Sequence, residues 1–521
     1  MNVDAQKLKA LRTRITENLR IQRDSTDPVP YIDAGNNLDV VCARQNHAIF
    51  ARRGCGKTLL LHHSSKLVDG GTKTVYLNCE DFKRHSFPNV LIEILDAVFR
   101  ELEKNLRGWF GRKKKSRELI VLIRKDLESL REASDASEES IRQTISSEVG
   151  SSVNGTAGFT AKNANGNISA SLSEKSKEET ERVYKVQSDK LRKLDMLLPK
   201  LKDRLRDFFE ASTSVKSVFL QIDDLYHLRR NDQPFVIDYI HRLCKDIPLY
   251  FKVATLRHAS TLYIDRDGQP IGAQERHDYQ PINIDYTFAD FNRTRDQNRQ
   301  IFNEFGKLAG MKKSEVDSLF RGAGFDRLVM AGGGVPRDTL SLFLEVLSDV
   351  ESRGGDKIGK DDVRELSRSN FQRRIEELKQ DSEGDEQDIL MRGIYAIREF
   401  CLSKKTNVFV IPERALQQNN GFRDLINRLL DYRIIHSAAG ALTHKSQGGT
   451  FQAFAIDIGC YANLRKLNGR FTEIDFSDKD AKEKLRSCPV FGITDFEGLL
   501  TKVPENVEKA LAEQDTSDQS E

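Results

Sequence analysis

The stretch 49-IFARRGCGKTLLL-61 constrains this 521-residue chain more than any other. Ile49 and Phe50 close an apolar run that reads as the end of a buried strand, and Leu59, Leu60 and Leu61 open an apolar helix. Between them, Gly54 and Gly56 let the backbone curl so that successive N–H groups point inward. The helix start adds partial positive charge, and together these features cradle a polyphosphate. Arg53, Gly54, Cys55, Gly56, Lys57, Thr58 and Leu59 are the residues this arrangement places at a bound nucleotide. Lys57 reaches the terminal phosphates, and the Thr58 hydroxyl ligates Mg2+. The pattern G-x-x-x-x-G-K-[ST] begins with glycine, and that position here is Ala51. The first glycine eases the exit from the strand, whereas the phosphate nest rests on Gly54 to Lys57, so alanine is expected to be tolerated.

A second motif fits the first. Val218 to Ile222 form a continuous apolar strand ending in Asp223 and Asp224. An acid at the carboxyl end of a strand beside a phosphate loop is where Mg2+ is held, and the next acid orients the attacking water. Asp223 is assigned to the metal and Asp224 to the water. The segment 250-YFKVATLRH-258 is expected to lie between these two strands, ending in Thr255 and Arg257, polar groups placed to sense the terminal phosphate. Further on, 331-AGGGVPRDTL-340 puts Pro336 and Arg337 at a helix start, from which an arginine reaches the phosphates out of a lid. Strands alternating with helix-length segments, including 74-TVYLN-78 and the helix through 89–106, mean an α/β fold whose parallel sheet is covered on both faces.

These residues resemble the AAA+ ATPases, in particular the origin-recognition and STAND groups. ARRGCGKT matches the Walker A motif, FLQIDD Walker B, the strand ending in TLR sensor 1, and GGVPR sensor 2. The resemblance covers about residues 31–345 apart from an insertion at 107–205. It implies an AAA+ P-loop core with a helical lid, Mg2+-dependent ATP hydrolysis, Arg337 as the sensor-2 arginine and Thr255 or Arg257 as the sensor-1 residue. The STAND group commonly has arginine there, which favours Arg257. Most relatives carry glutamate where this chain has Asp224, one methylene shorter, so slow turnover is expected. Arg229, Arg230 and Arg293 are candidates for an arginine reaching a neighbouring subunit. Ring or filament formation by identical subunits is implied by the resemblance alone.

The remaining organisation follows from pattern and composition. A hydrophobic share of 38%, a charged share of 31% and a net charge of +3 suit a globular protein and give no global electrostatic case for nucleic acid. The seven cysteines are scattered, which points to a reducing, cytoplasmic setting and away from a structural zinc. No segment reaches the about 18 apolar residues of a membrane span. Residues 1–30 read as an amphipathic helix and linker, 31–285 as the nucleotide-binding core and 286–350 as the lid. Residues 351–385 read as a charged linker. Residues 107–205 read as a surface insertion of charged helices around a weak β-hairpin that turns at Asn165-Gly166. Trp109 beside Arg112 to Lys115 is either a stacking and phosphate-pairing device or a solvated charge run.

The C-terminal part, 386–465, reads as a winged helix-turn-helix, followed by an extension with an acidic tail at 466–521. Its candidate recognition helix, 422–432, faces outward with Arg423, Asp424, Asn427, Arg428 and Asp431. Two arginines against two aspartates make a poor phosphate-binding face, and the wing adds only His444 and Lys445. Double-stranded DNA and a separate effector protein therefore both stand as partners. The first belongs to an origin-recognition-like switch that couples ATP to DNA. The second belongs to a STAND-like regulator in defence or a mobile element.

Overall fold

The computed structural model describes residues 4–19, 30–85, 87–104, 114–131, 190–212, 214–266, 268–382, 384–462, 471–504, 507 and 511. The Trp109 cluster up to Lys113 and the Asn165-Gly166 turn lie outside the described residues.

The chain opens with α1 (Ala5–Asn18) and α2 (Asn37–Val41), then β1 (His47–Phe50), α3 (Lys57–Leu67), β2 (Thr72–Asn78) and α4 (Asn89–Lys104). Residues 114–131 and 190–211 are helical (α5 and α6). There follow β3 (Ser217–Asp223), α7 (Gln233–Cys244), β4 (Leu249–Thr255), a two-stranded hairpin of β5 (Tyr263–Arg266) and β6 (Gln269–Gly272), and β7 (Gln280–Asn283). Five strands form one sheet in the order β2-β3-β4-β1-β7, and every pairing in it is parallel. As expected, β4 lies between β1 and β3. Period-2 alternation sorts the side chains to the two faces. Ala48 and Phe50 of β1 join a core with α4, α5, α6 and α7, while Ile49 and Ala51 join Leu60 and Leu61 of α3 on the other face.

The described helices of the 107–205 segment correct its reading as a surface insertion. Ile120, Ile123 and Leu127 of α5, and Leu194, Leu198, Leu201, Leu205 and Phe208 of α6, are buried in the same core as the strands. Their helical spacing gives each helix one apolar stripe, and the charges that dominate the sequence occupy the other faces.

Beyond the sheet come α8 (Phe291–Leu308), α9 (Lys313–Asp317), α10 (Gly324–Ala331) and α11 (Pro336–Ser352). Next, α12 (Lys360–Asp381) replaces the charged linker read at 351–385. Only Val363, Phe371 and Leu378 are its buried apolar residues, and its inward face is completed by Ser367, Asn370 and Arg374. A helix buried on polar residues is invisible to hydropathy, which is why charge alone suggested a linker. The chain then forms α13 (Asp385–Ser403), β8 (Val408–Pro412), α14 (Glu413–Gln418), α15 (Asn420–Asp431), β9 (Ile435–Thr443) and β10 (Thr450–Ile456). The three strands pair antiparallel in the order β8-β10-β9. Helix, strand, two helices and two strands, with the last strand central, make up this C-terminal unit. Short helices α16 (Ala481–Leu485) and α17 (Ile493–Leu500) pack against it. One continuous apolar core joins α1, the helices from α8 to α12 and this C-terminal unit. Among the described residues no helix is long and apolar enough to cross a membrane.

Candidate nucleotide site

The loop between β1 and α3 has the conformation its glycines predict. Gly54 and Gly56 have φ of 85° and 90°, a region that glycine occupies without strain. The side chain of Lys57 folds back into the loop, its ammonium donating to the carbonyls of Ala51 at 2.9 Å and Arg52 at 3.2 Å. Burial lowers its pKa, opposed first by the charge of Asp224. Cys55 is buried behind the loop, its thiol 3.6 Å from the Asp285 carboxylate, and burial pushes its pKa up. Leu59 lies half-buried in the first turn of α3.

The two acid-bearing ends meet. Thr58 donates its hydroxyl to Asp223 at 2.6 Å, and Tyr76, from neighbouring β2, donates to the same oxygen at 2.7 Å. Register brings this about: Asn78, Asp223 and the end of β4 close neighbouring parallel strands, so their side chains gather at one edge of the sheet. The strand carrying Asp223 is also pinned to α3, because Gln221 donates to the carbonyl of Leu61 at 2.9 Å. Burial, then the charge of Asp224, pushes the Asp223 carboxyl up to about 6, against the pull of both hydroxyls. Asp224 has φ of 53°, an uncommon conformation for a non-glycine residue and one that clusters at functional positions.

This is the core of a P-loop α/β fold. The parallel sheet, the glycine loop leaving the interior strand β1 and the contact between Thr58 and Asp223 establish it together. No protein-family model and no curated protein matches the chain. Among solved structures, the Aeropyrum pernix ORC2 protein (ADPNP–ADP complexes) aligns over 92% of this chain and 97% of its own, at 11% identity and TM-score 0.35. The A. pernix ORC1 protein in complex with DNA aligns over 87% and 95%, at 12% identity and TM-score 0.32. The Walker-type ATPase PABY2304 of Pyrococcus abyssi aligns over 85% and 99%, at 10% identity and TM-score 0.39. Likeness at this level adds no weight to what the strand order already states.

Around this core the remaining sequence-predicted residues divide. Arg337, second residue of α11, lies against the loop: its N–H donates to the Gly54 carbonyl at 3.3 Å, and a Cβ on Gly54 would sit 3.1 Å from its Nε. Thr255 is fully buried, with its hydroxyl bonded to that of Ser260. Arg257 stacks 4.4 Å over the ring of Phe50 and pairs with Glu275 at 2.9 Å, at the exposed side of the sheet edge. The Arg53 side chain points away from the loop interior, lying 4.7 Å over the ring of Tyr226 and pairing with Asp381. Arg230 pairs with Asp424 at 3.1 Å, and Arg293 donates to the carbonyl of Ala34 at 3.1 Å while stacking on Tyr286.

Sequence reading missed Arg52. It is 6% exposed, forks onto Asp285 at 2.7 and 2.8 Å, and reaches the Gly333 carbonyl at 3.0 Å and His436 Nδ1 at 3.3 Å. It also missed the buried charges behind the loop. Arg374 bonds both Asp338 and Asp457, and Arg433 bonds Asp338 at 3.3 Å and pairs with Glu377. Asp338 adjoins Arg337 at the start of α11, so this network begins beside the loop and ends in the C-terminal unit. The one sequence signal for it was an excess of arginine in segments with few apolar residues.

Proposed function

We propose that the chain is an ATP-binding and hydrolysing switch whose nucleotide state sets the position of its winged helix. The contact between Thr58 and Asp223 carries this reading. It places a hydroxyl and a carboxylate, both hard oxygen donors suited to Mg2+, beside a glycine loop that holds an ammonium. Backbone N–H groups of residues 54–58 and the Lys57 ammonium would hold the phosphates, and Thr58 and Asp223 would hold Mg2+. When bound, Mg2+ neutralises charge that develops on the transferring phosphoryl group. Asp224 holds and orients the attacking water. Arg337, on the lid helix that touches Gly54, senses the phosphates.

Nucleotide binding by the purified chain tests this directly. Lys57→Ala is expected to abolish binding, and Asp224→Asn to keep binding while losing turnover. Unchanged hydrolysis in either variant overturns the assignment.

For the output, the polar face of α15 favours a docked regulatory element over a DNA grip in this arrangement. Asp424 is paired with Arg230 of the core, Arg428 with Asp424 and Glu386, and Asp431 is bonded to the loop after β4. Lys445 of the wing is paired with Glu483. Two target classes follow: duplex DNA, engaged once the winged helix leaves the core, or a separate effector protein. Binding to labelled duplex with and without ATP, in rising salt, separates them. ATP-enhanced affinity that falls steeply with salt supports DNA. Its absence leaves the effector reading.

A further inference from the structure

The two arginines at variable positions of the loop, Arg52 and Arg53, face away from the phosphate nest, and both end on the C-terminal half of the chain. Arg52 reaches Gly333 in the lid and His436 on β9. Arg53 pairs with Asp381 at the end of α12, and its carbonyl accepts from Arg433, two residues after α15, at 3.2 Å. Burial of these contacts is deep on the Arg52 side, where Arg52 is 6% and His436 1% exposed. Because guanidinium only donates, Nδ1 of His436 accepts from Arg52 and its Nε2 carries the hydrogen toward Asp457, 3.2 Å away.

The loop side of the tie meets the nucleotide machinery at one atom. Lys57 donates to the carbonyl of Arg52, the residue whose side chain makes the longest reach into the C-terminal unit. A Lys57 ammonium drawn to a phosphate would give up this bond, so the Arg52 main chain is where phosphate binding and the Arg52 contacts meet.

We propose that Arg52 and Arg53 are positioning residues that tie the phosphate loop to the C-terminal half, Arg52 to β9 and Arg53 to the end of α12 and, through its carbonyl, to Arg433, making nucleotide binding and winged-helix docking one coupled equilibrium. This rests on the nucleotide reading of the loop. Coupling of this kind is reciprocal: a contact that lets nucleotide shift the winged helix also lets the winged helix shift nucleotide affinity.

The test measures amide hydrogen exchange of residues 420–436 and nucleotide affinity together on the full chain, with ADP and with a non-hydrolysable ATP analogue. Arg52→Lys keeps the charge opposite Asp285 but loses the fork that reaches Gly333 and His436. Asp381→Asn cuts the Arg53 tie at a surface position with little change in size. Asp317→Asn, which breaks the pair with Arg299 on α8, is the control. Nucleotide is expected to change exchange in 420–436 of the native chain about five-fold or more. Both tie variants are expected to lose most of that response, and the control to keep it. If Arg52→Lys does not fold, Asp381→Asn decides alone. A full response in Asp381→Asn, or nucleotide binding to the native chain with no change in 420–436, overturns the proposal. Absence of nucleotide binding by the native chain instead overturns the reading of the loop itself.

Discussion

Asp431, the last residue of α15, accepts the main-chain N–H of Ala259 at 2.7 Å, and that of His258 at 3.0 Å. A carboxylate of the C-terminal unit thus caps the loop leaving β4, one and two residues beyond Arg257. Capping of main-chain donors by a buried acid costs desolvation and returns hydrogen bonds, so the contact holds only while the two units stay docked.

That contact gives a pH dependence. Burial pushes the Asp431 carboxyl up to about 7 even though the two N–H groups pull it down. A carboxyl that holds its proton more tightly folded than unfolded adds stability below its ordinary value of about 3.9. This contribution is lost as pH rises through about 7. Asp431→Asn should therefore gain thermal stability relative to the native chain between pH 5 and pH 8. An equal Tm difference at both values would show that Asp431 does not titrate in this range.

The close approach of α11 to the loop makes Gly54 intolerant of a side chain. With φ at 85°, a Cβ would stand 2.8 Å from Arg337 Cβ and 2.9 Å from Val335 Cγ1. The backbone strain alone costs about 1–3 kcal/mol. Gly54→Ala is expected to lower stability by at least that amount and to weaken nucleotide binding, because α11 must back away and take Arg337 with it. Calorimetric titration showing native affinity would contradict this packing.

Arg374 is the centre of the buried charge network, 2% exposed and bonded to Asp338, Asp457 and the carbonyl of Arg433. Removing Arg374 leaves Asp457 buried without a permanent cation and Asp338 with Arg433 alone, a loss of about 3–5 kcal/mol. Arg374→Ala should show this in urea unfolding, and a change under about 1 kcal/mol would mean the acids find other partners.

Tyr76 shares the Asp223 oxygen with Thr58. A hydrogen bond to a charged group is worth about 1.5–3 kcal/mol. Tyr76→Phe should weaken Mg2+ affinity by about ten-fold and leave metal-free nucleotide affinity unchanged. Equal loss of both would point to a general disturbance of the sheet edge instead.

By itself, the sequence determined the elements whose chemistry is local. The glycines of the loop, Lys57 and Thr58, the apolar strand before Asp223, and the order of strands and helices are each written within about a dozen neighbouring residues, because phosphate binding needs a contiguous backbone. The helices and strands of the C-terminal unit were legible for the same reason, their periodicities being local. Tertiary structure decided what rests on residues far apart in the chain. Helix α12 looked like a linker because its buried face is largely polar, and α5 and α6 looked like surface because charge on one face hid the apolar stripe on the other. Arg52 had no role in the sequence and Arg53 was placed at the nucleotide, until folding set their side chains against His436 and Asp381, more than three hundred residues away. Such pairs leave no periodic trace, since a buried guanidinium needs only an acceptor in space and not at any fixed distance along the chain.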